Sequence, residues 1–372
     1  MHYPKKNSQL IFFYLPILFL FMNKTQEIAK EVRTNTAAAS PIFLLKNQKH
    51  IQNPKRASIT FIMGEDEKAK NQYYTEAKHF YQYNELEHTD LVVDTCRSLW
   101  AIHQVLTNHP QRNGLPWGNI NIVVHSNEWT GICMSAFPNG NRMTTNSLNW
   151  LIKKGNWKEL PTTIADKETT INFQSCGLGR NHSLMLALQQ LYFSNHCPEN
   201  APVVSASPYF VFYESEKYNG IPLSTRKYKA DVWYAFYKTG YREGDIKLSQ
   251  QLKERYPNAV VNWRQALRET EPNHTSGVFH YNFTIPIEWI VTYETKERLP
   301  KLKTSKDQFT WLENQAELKV VLADYGITLD KFRWSFETTN YTFEDGISEP
   351  AIVAKGLCTV VCILQKMEAN PI

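Results

Sequence analysis

Between residues 57 and 210 the chain alternates short apolar runs with segments of helical periodicity. Ser58 to Met63 (SITFIM) reads as a strand that stops at Gly64, and Lys70 to Phe80 follows with helical character. Asp90 to Val93 is a second strand, and Thr95 to Leu106 places Leu99, Ile102 and Leu106 on one helical stripe. Pro110, Gly114, Pro116 and Gly118 punctuate a loop before a third strand, Ile120 to Val124 (INIVV). A short helix at Ser147 to Lys153 precedes a fourth strand, Thr169 to Phe173 (TTINF). Asn181 to Phe193 carries Leu184, Leu188 and Leu191 on one stripe, and Val203 to Ala206 is a fifth strand. Strands that alternate with helices predict an α/β fold with a mostly parallel sheet covered by helices, joined by right-handed crossovers.

The pattern changes beyond residue 226. Asp245 to Tyr256 reads as a helix, and Gly277 to Thr295 as a long β segment broken at Pro286. Asp307 to Asp324 reads as one helix with Phe309, Leu312, Ala316, Val320 and Ala323 near one stripe. Phe332 to Phe343 and Ala351 to Leu364 look like strands joined across Asp345-Gly346. The aromatic run Tyr228, Trp233, Tyr234, Phe236, Tyr237 and Tyr241 fits core better than a stacking platform, and Lys301, Lys303 and Lys306 fit a solvated loop. This part is α+β and holds no motif that converts into chemistry.

At the other end, Lys5 and Lys6 precede an apolar run from Leu10 to Met22, which has the charge and length of a signal peptide or anchor. The expected organisation is a signal peptide or anchor at 1–22, a basic linker at 23–56, an α/β domain at 57–226 and an α+β region at 227–372. Export to the periplasm or medium follows, with membrane association only through the N-terminal segment.

Composition sharpens this. The 372 residues include 41 Lys and Arg against 36 Asp and Glu, a net charge of +5. Nine of the basic residues and two acidic ones fall in residues 1–56, so the leader carries +7 and the remainder −2. A nucleic-acid face needs its positive charge on the folded body, which excludes nucleic acid as the expected partner. The six cysteines, Cys96, Cys133, Cys176, Cys197, Cys358 and Cys362, are too sparse for a disulfide scaffold. Cys358 and Cys362, four apart in one strand-like run, are too far apart to bond each other. Neither CxxC, HExxH nor an EF-hand loop occurs, so no metal or cofactor is expected.

Candidate chemistry gathers where ligands bind in such sheets, beyond the carboxyl ends of the strands. His125 directly follows INIVV, and Cys176 follows TTINF in the run Gln174-Ser175-Cys176-Gly177-Leu178-Gly179. A thiol at a strand terminus that leads into a helix N-terminus, with glycines that admit a substrate backbone, suits nucleophilic catalysis. An imidazole from another strand end can serve as acid and base.

These two halves, Ile120 to His125 and Ile171 to Cys176, are 51 positions apart at the reacting residues. With the order β, α, β, α, β-His, α, β-Cys, they resemble the caspase-like (clan CD) cysteine peptidases, over residues 57–210 only. The resemblance implies a peptide or protein substrate, no cofactor, Cys176 as nucleophile, His125 as acid and base, and the backbone N–H groups of Ser126 and Cys176 as oxyanion hole. Ser126 departs from the family, which has Gly after its His, and the sequence after Cys176 does not imply a preference for Asp. Glu65 and Asp66, in the first β-to-α loop, are candidates for the substrate pocket, as are Glu128 and Trp129 close after His125. The alternative reading is a catalytically inactive caspase-like module that binds peptide or protein partners.

Overall fold

The computed structural model describes residues 55–66, 72–109, 114–155, 157–193, 200–240, 246–255, 257–258, 261–269, 278–342 and 348–367. The expected signal segment, most of the basic linker, Cys197 and the Asp345-Gly346 turn lie outside the described residues. Two compact units form: a larger one from 54–287, 309–335 and 355–372, and a smaller one that includes 288–308 and 336–354.

The larger unit is built on a parallel sheet of five strands: β1 (Ser58–Ile62), β2 (Leu91–Val93), β3 (Asn119–Val123), β7 (Thr170–Gln174) and β8 (Val203–Ala206). Their order is β2-β1-β3-β7-β8 and every pairing is parallel. The direction of winding reverses between β1 and β3, the position beyond whose carboxyl ends ligands bind in open α/β sheets. Between β3 and β7 the chain forms a small antiparallel sheet of β4 (Ser126–Asn127), β5 (Gly131–Ser135) and β6 (Arg142–Met143).

Alternate residues of the parallel strands point to opposite faces. On one face Ile59, Phe61, Ile120, Ile122, Ile171 and Phe173 pack with helices α2 (Leu99–Asn108), α3 (Thr145–Lys154) and α4 (His182–Phe193). On the other, Ile62 and Val123 meet helix α1 (Tyr73–Tyr83) through Tyr73, Ala77 and Phe80, together with Val211 and Tyr213. Burying each of these large side chains contributes about 1.5–3 kcal/mol. The helices begin and end on local signals. Ser98 accepts from the Ala101 amide at the start of α2, Thr144 and Ser147 form a capping box for α3, and Gly155 closes α3 in the left-handed conformation.

The second large sheet is antiparallel where its register is defined and follows the order β11-β13-β10-β9, with β12 paired to β13. Its strands are β9 (Phe210–Tyr218), β10 (Ile221–Lys238), β11 (Val278–Thr292), β12 (Arg333–Thr342) and β13 (Ser348–Lys366). Asn219 and Gly220, both at positive φ, make the tight turn between β9 and β10. Strand β10 runs unbroken through residue 226, where the sequence suggests a domain boundary. Helices α5 (Ile246–Arg255) and α6 (Trp263–Ala266) pack on β10 and β13 through Leu248, Leu252 and Trp263.

Two expectations are corrected here. Strand β11 passes through Pro286 without a break, because β11 is an edge strand and an edge position needs no N–H from proline. The single helix expected over Asp307 to Asp324 is two helices, α7 (Ser305–Glu313) and α8 (Ala316–Asp324). The interruption shifts the helical phase: Leu318 and Leu322 are buried, whereas Val320, on the expected stripe, is 63 % exposed.

Candidate active site

Strands β3 and β7 pair in register from Asn119↔Thr170 to Val123↔Gln174. One step further the Val124 amide donates to the Gln174 carbonyl at 3.2 Å. Val124 and Ser175 are fully buried, whereas the residue after each, His125 and Cys176, is partly exposed. The sequence-predicted pair therefore stands level on adjacent parallel strands, each two residues beyond the last cross-strand pair.

The first turn of α1 frames His125. The ring of Tyr73 stacks on the imidazole, with centroids 4.5 Å apart and planes 26° from parallel. Tyr74 meets it edge-on at 4.7 Å and 65°. Both hydroxyls bond to backbone: Tyr73 donates to the Gln174 carbonyl at 2.8 Å, and Tyr74 accepts from the His125 amide at 3.2 Å. The His125 carbonyl accepts from the Cys133 amide at 2.8 Å, which fixes the main chain from its other side.

Cys176 is deep-set although part of its surface is accessible. Its Sγ donates to the Val211 carbonyl of β9 at 3.6 Å, and burial pushes the thiol up to about 12. At neutral pH the sulfur is thus a protonated thiol. The helix dipole expected to favour a thiolate acts at a distance, because Gly177 and a single 3-10 turn (Leu178–Arg180) separate Cys176 from α4. Gly177 takes φ +66°, and its amide donates to the Tyr209 carbonyl at 3.2 Å. A Cβ on Gly179 would overlap the Ala206 carbonyl, so the close approach of this turn to the end of β8 requires glycine.

Ser126, expected to lend its N–H to an oxyanion, opens β4 opposite Ile132 and is buried. Its hydroxyl donates to the Cys176 carbonyl at 3.0 Å. The remaining candidates are occupied elsewhere. Glu65 is exposed and pairs with Arg97 at 2.5 Å. The Asp66 carboxylate accepts from the amides of Tyr74 at 3.0 Å and Thr75 at 2.9 Å, which makes it the cap of α1. Burial raises the carboxyl of Glu128, opposed by the charge of Arg180 and by the Tyr234 hydroxyl. Trp129 is buried, donates to the Tyr325 carbonyl at 3.1 Å and packs edge-on against Tyr234. Glu128 and Trp129 are thus engaged with β10.

Tyr73, Tyr74 and Val211 have no motif to announce them, and sequence reasoning missed all three. The one available signal was helical spacing, which puts Tyr73, Ala77 and Phe80 on one face of α1 toward the sheet. Arg180 lies 5.8 Å over the Tyr234 ring and 3.6 Å from Asp231. Among the described residues no cluster of three His, Cys, Asp or Glu could hold a metal ion, and no helix is long and apolar enough to cross a membrane. No protein-family model, curated protein or solved structure matches the chain.

Proposed function

We propose that the chain is a caspase-like cysteine hydrolase that cleaves peptide bonds, with Cys176 as nucleophile and His125 as acid and base. The observation that carries this reading is the level placement of His125 and Cys176 on adjacent strand ends, each partly exposed directly after a fully buried residue. The resting Cys176 is a protonated thiol. Attack of Sγ on the substrate carbonyl therefore requires Sγ to leave the Val211 carbonyl and pass its proton to His125. His125 then protonates the departing amine, and the acyl-thioester is hydrolysed by a water that gives its proton back to the imidazole. The N–H groups of Ser126 and Cys176 are the proposed oxyanion donors. The substrate is a peptide or protein met outside the cell, reached through the N-terminal export segment.

A second reading, a non-catalytic module that binds peptides at the same recess, is favoured by the Sγ contact to Val211 and by the Ser126 side chain at the position of the family's Gly. Turnover of a mixed peptide library by wild type and by Cys176→Ala separates the two. Cleavage abolished by the substitution supports the hydrolase. Cleavage that survives it removes Cys176 as nucleophile, and peptide retention without cleavage by wild type selects the binding module.

A further inference from the structure

We infer that Tyr73 is a positioning residue for His125, a step that rests on the hydrolase reading for its kinetic consequence but not for its structural one. Four contacts converge. The Tyr73 ring covers one face of the imidazole, and the Tyr74 ring, 5.2 Å from Tyr73 and 70° to it, closes a second side. The imidazole thus sits in an aromatic corner that restricts its rotation. The Tyr73 hydroxyl donates to the Gln174 carbonyl, which also accepts from the Val124 amide. One carbonyl two residues before the nucleophile therefore receives bonds from the His-bearing strand and from the side chain stacked on the His. The Tyr74 hydroxyl completes the set at the His125 amide.

The corner is built from the sequence upward. Asp66 caps the helix that starts at Tyr73, which sets the direction in which the first turn presents both rings. Gly64, at the end of β1, has no Cβ to overlap the Tyr74 ring. Behind the site Tyr73 leans on Tyr213 of β9, with centroids 5.6 Å apart. The position of the imidazole relative to the Cys176 strand is thus transmitted through a phenol: its ring holds His125, and its hydroxyl holds Gln174.

Two variants separate the ring from the hydroxyl. Tyr73→Phe keeps the stacked ring and loses only the bond to Gln174; Tyr73→Leu loses both. With His125 signals assigned by comparison with His125→Ala, the imidazole protons of wild type carry the ring-current shift of the stacked phenol in NMR spectra. That shift is expected to persist in Tyr73→Phe and to vanish in Tyr73→Leu. On cleaved peptides, kcat falls by roughly ten- to a hundredfold in Tyr73→Leu, while KM is nearly unchanged and Tyr73→Phe recovers most of the loss. Imidazole signals that coincide in wild type and both variants would overturn the inference. If the shift behaves as expected but wild type cleaves nothing, positioning stands and the hydrolase reading falls. Thermal melts of each variant separate loss of fold from loss of the corner, because Tyr73→Phe conserves the buried ring.

Discussion

The hydroxyl of Ser126 donates to the carbonyl of Cys176 at 3.0 Å, so the residue after the imidazole is tied to the residue that bears the thiol. The bond spans two strand ends that otherwise diverge, β3 into β4 and β7 into the Gly177 turn. Ser126→Ala removes the donor and is expected to cost about 1 kcal/mol. Ser126→Gly adds a backbone-entropy penalty of about 0.5–1 kcal/mol. Urea unfolding should therefore rank wild type above Ala above Gly; a Gly variant more stable than the Ala variant would mean that the Ser126 side chain is strained where it sits.

The protonated thiol of Cys176 sets a pH dependence. Burial pushes it to about 12, so the thiolate is scarce at neutral pH and its fraction grows about tenfold per pH unit below that value. Alkylation of Cys176, followed by peptide mass mapping on a Cys133→Ser background to remove the exposed competitor, should accelerate steeply from pH 7 to pH 10. A labelling rate flat between pH 6 and 9 would reveal a preformed thiolate and contradict the protonated thiol. The same shift bears on stability. The folded protein binds the thiol proton more tightly than the unfolded chain does, so this contribution is present below about pH 9 and is lost as pH rises toward 12.

Gly64→Ala tests the seat of the aromatic corner. The new Cβ would overlap the Tyr74 ring, which lies in a packed cluster with Ile62, Ala77 and Val123. Overpacking there is expected to cost about 1–3 kcal/mol and to displace the His125 imidazole signals together with the unfolding midpoint. A midpoint within error of wild type would show that the ring has room to move.

Arg56 marks where the basic leader ends and the body begins. Its guanidinium grips Asp166 with two bonds, of 2.6 and 3.0 Å, and reaches Glu168 at 3.0 Å. This holds the Asp166 carboxyl below its usual value. Arg56→Ala is expected to cost about 1 kcal/mol at neutral pH. Because a lowered carboxyl stabilises only while it is ionised, the difference from wild type should be full above about pH 4 and disappear in stronger acid. A difference that stays constant down to pH 2 would assign the loss to packing of the Arg56 stem.

Residues that act along the chain were legible in the sequence, and residues that act across it were not. The short runs SITFIM, INIVV and TTINF sit within a residue of β1, β3 and β7, because their alternating apolar residues, among them Ile59, Phe61, Ile120, Ile122, Ile171 and Phe173, fill one face of the sheet. His125 and Cys176 were found as the residues ending those runs. The charge of Asp66 suggests a pocket residue, yet its oxygens accept from the amides of α1. The exposed acid beside it, Glu65, was grouped with it on the same ground. Asn219-Gly220 is a strong hairpin signal between β-rich segments, and it places Tyr228, Trp233, Tyr234, Phe236 and Tyr237 of the aromatic run in β10, Tyr241 lying outside the described residues. Tyr73 and Tyr74 could not be read, because two tyrosines at a helix start look alike whether they face water or an imidazole.

The amide of His125 donates to the hydroxyl of Tyr74, a side chain of the first turn of α1. In hydrogen exchange its protection is therefore lost when the first turn of α1 lifts, whether or not the sheet stays closed. The exchange lifetime of that one amide is a clock for α1, and it would time each departure of the aromatic corner from the face of the imidazole.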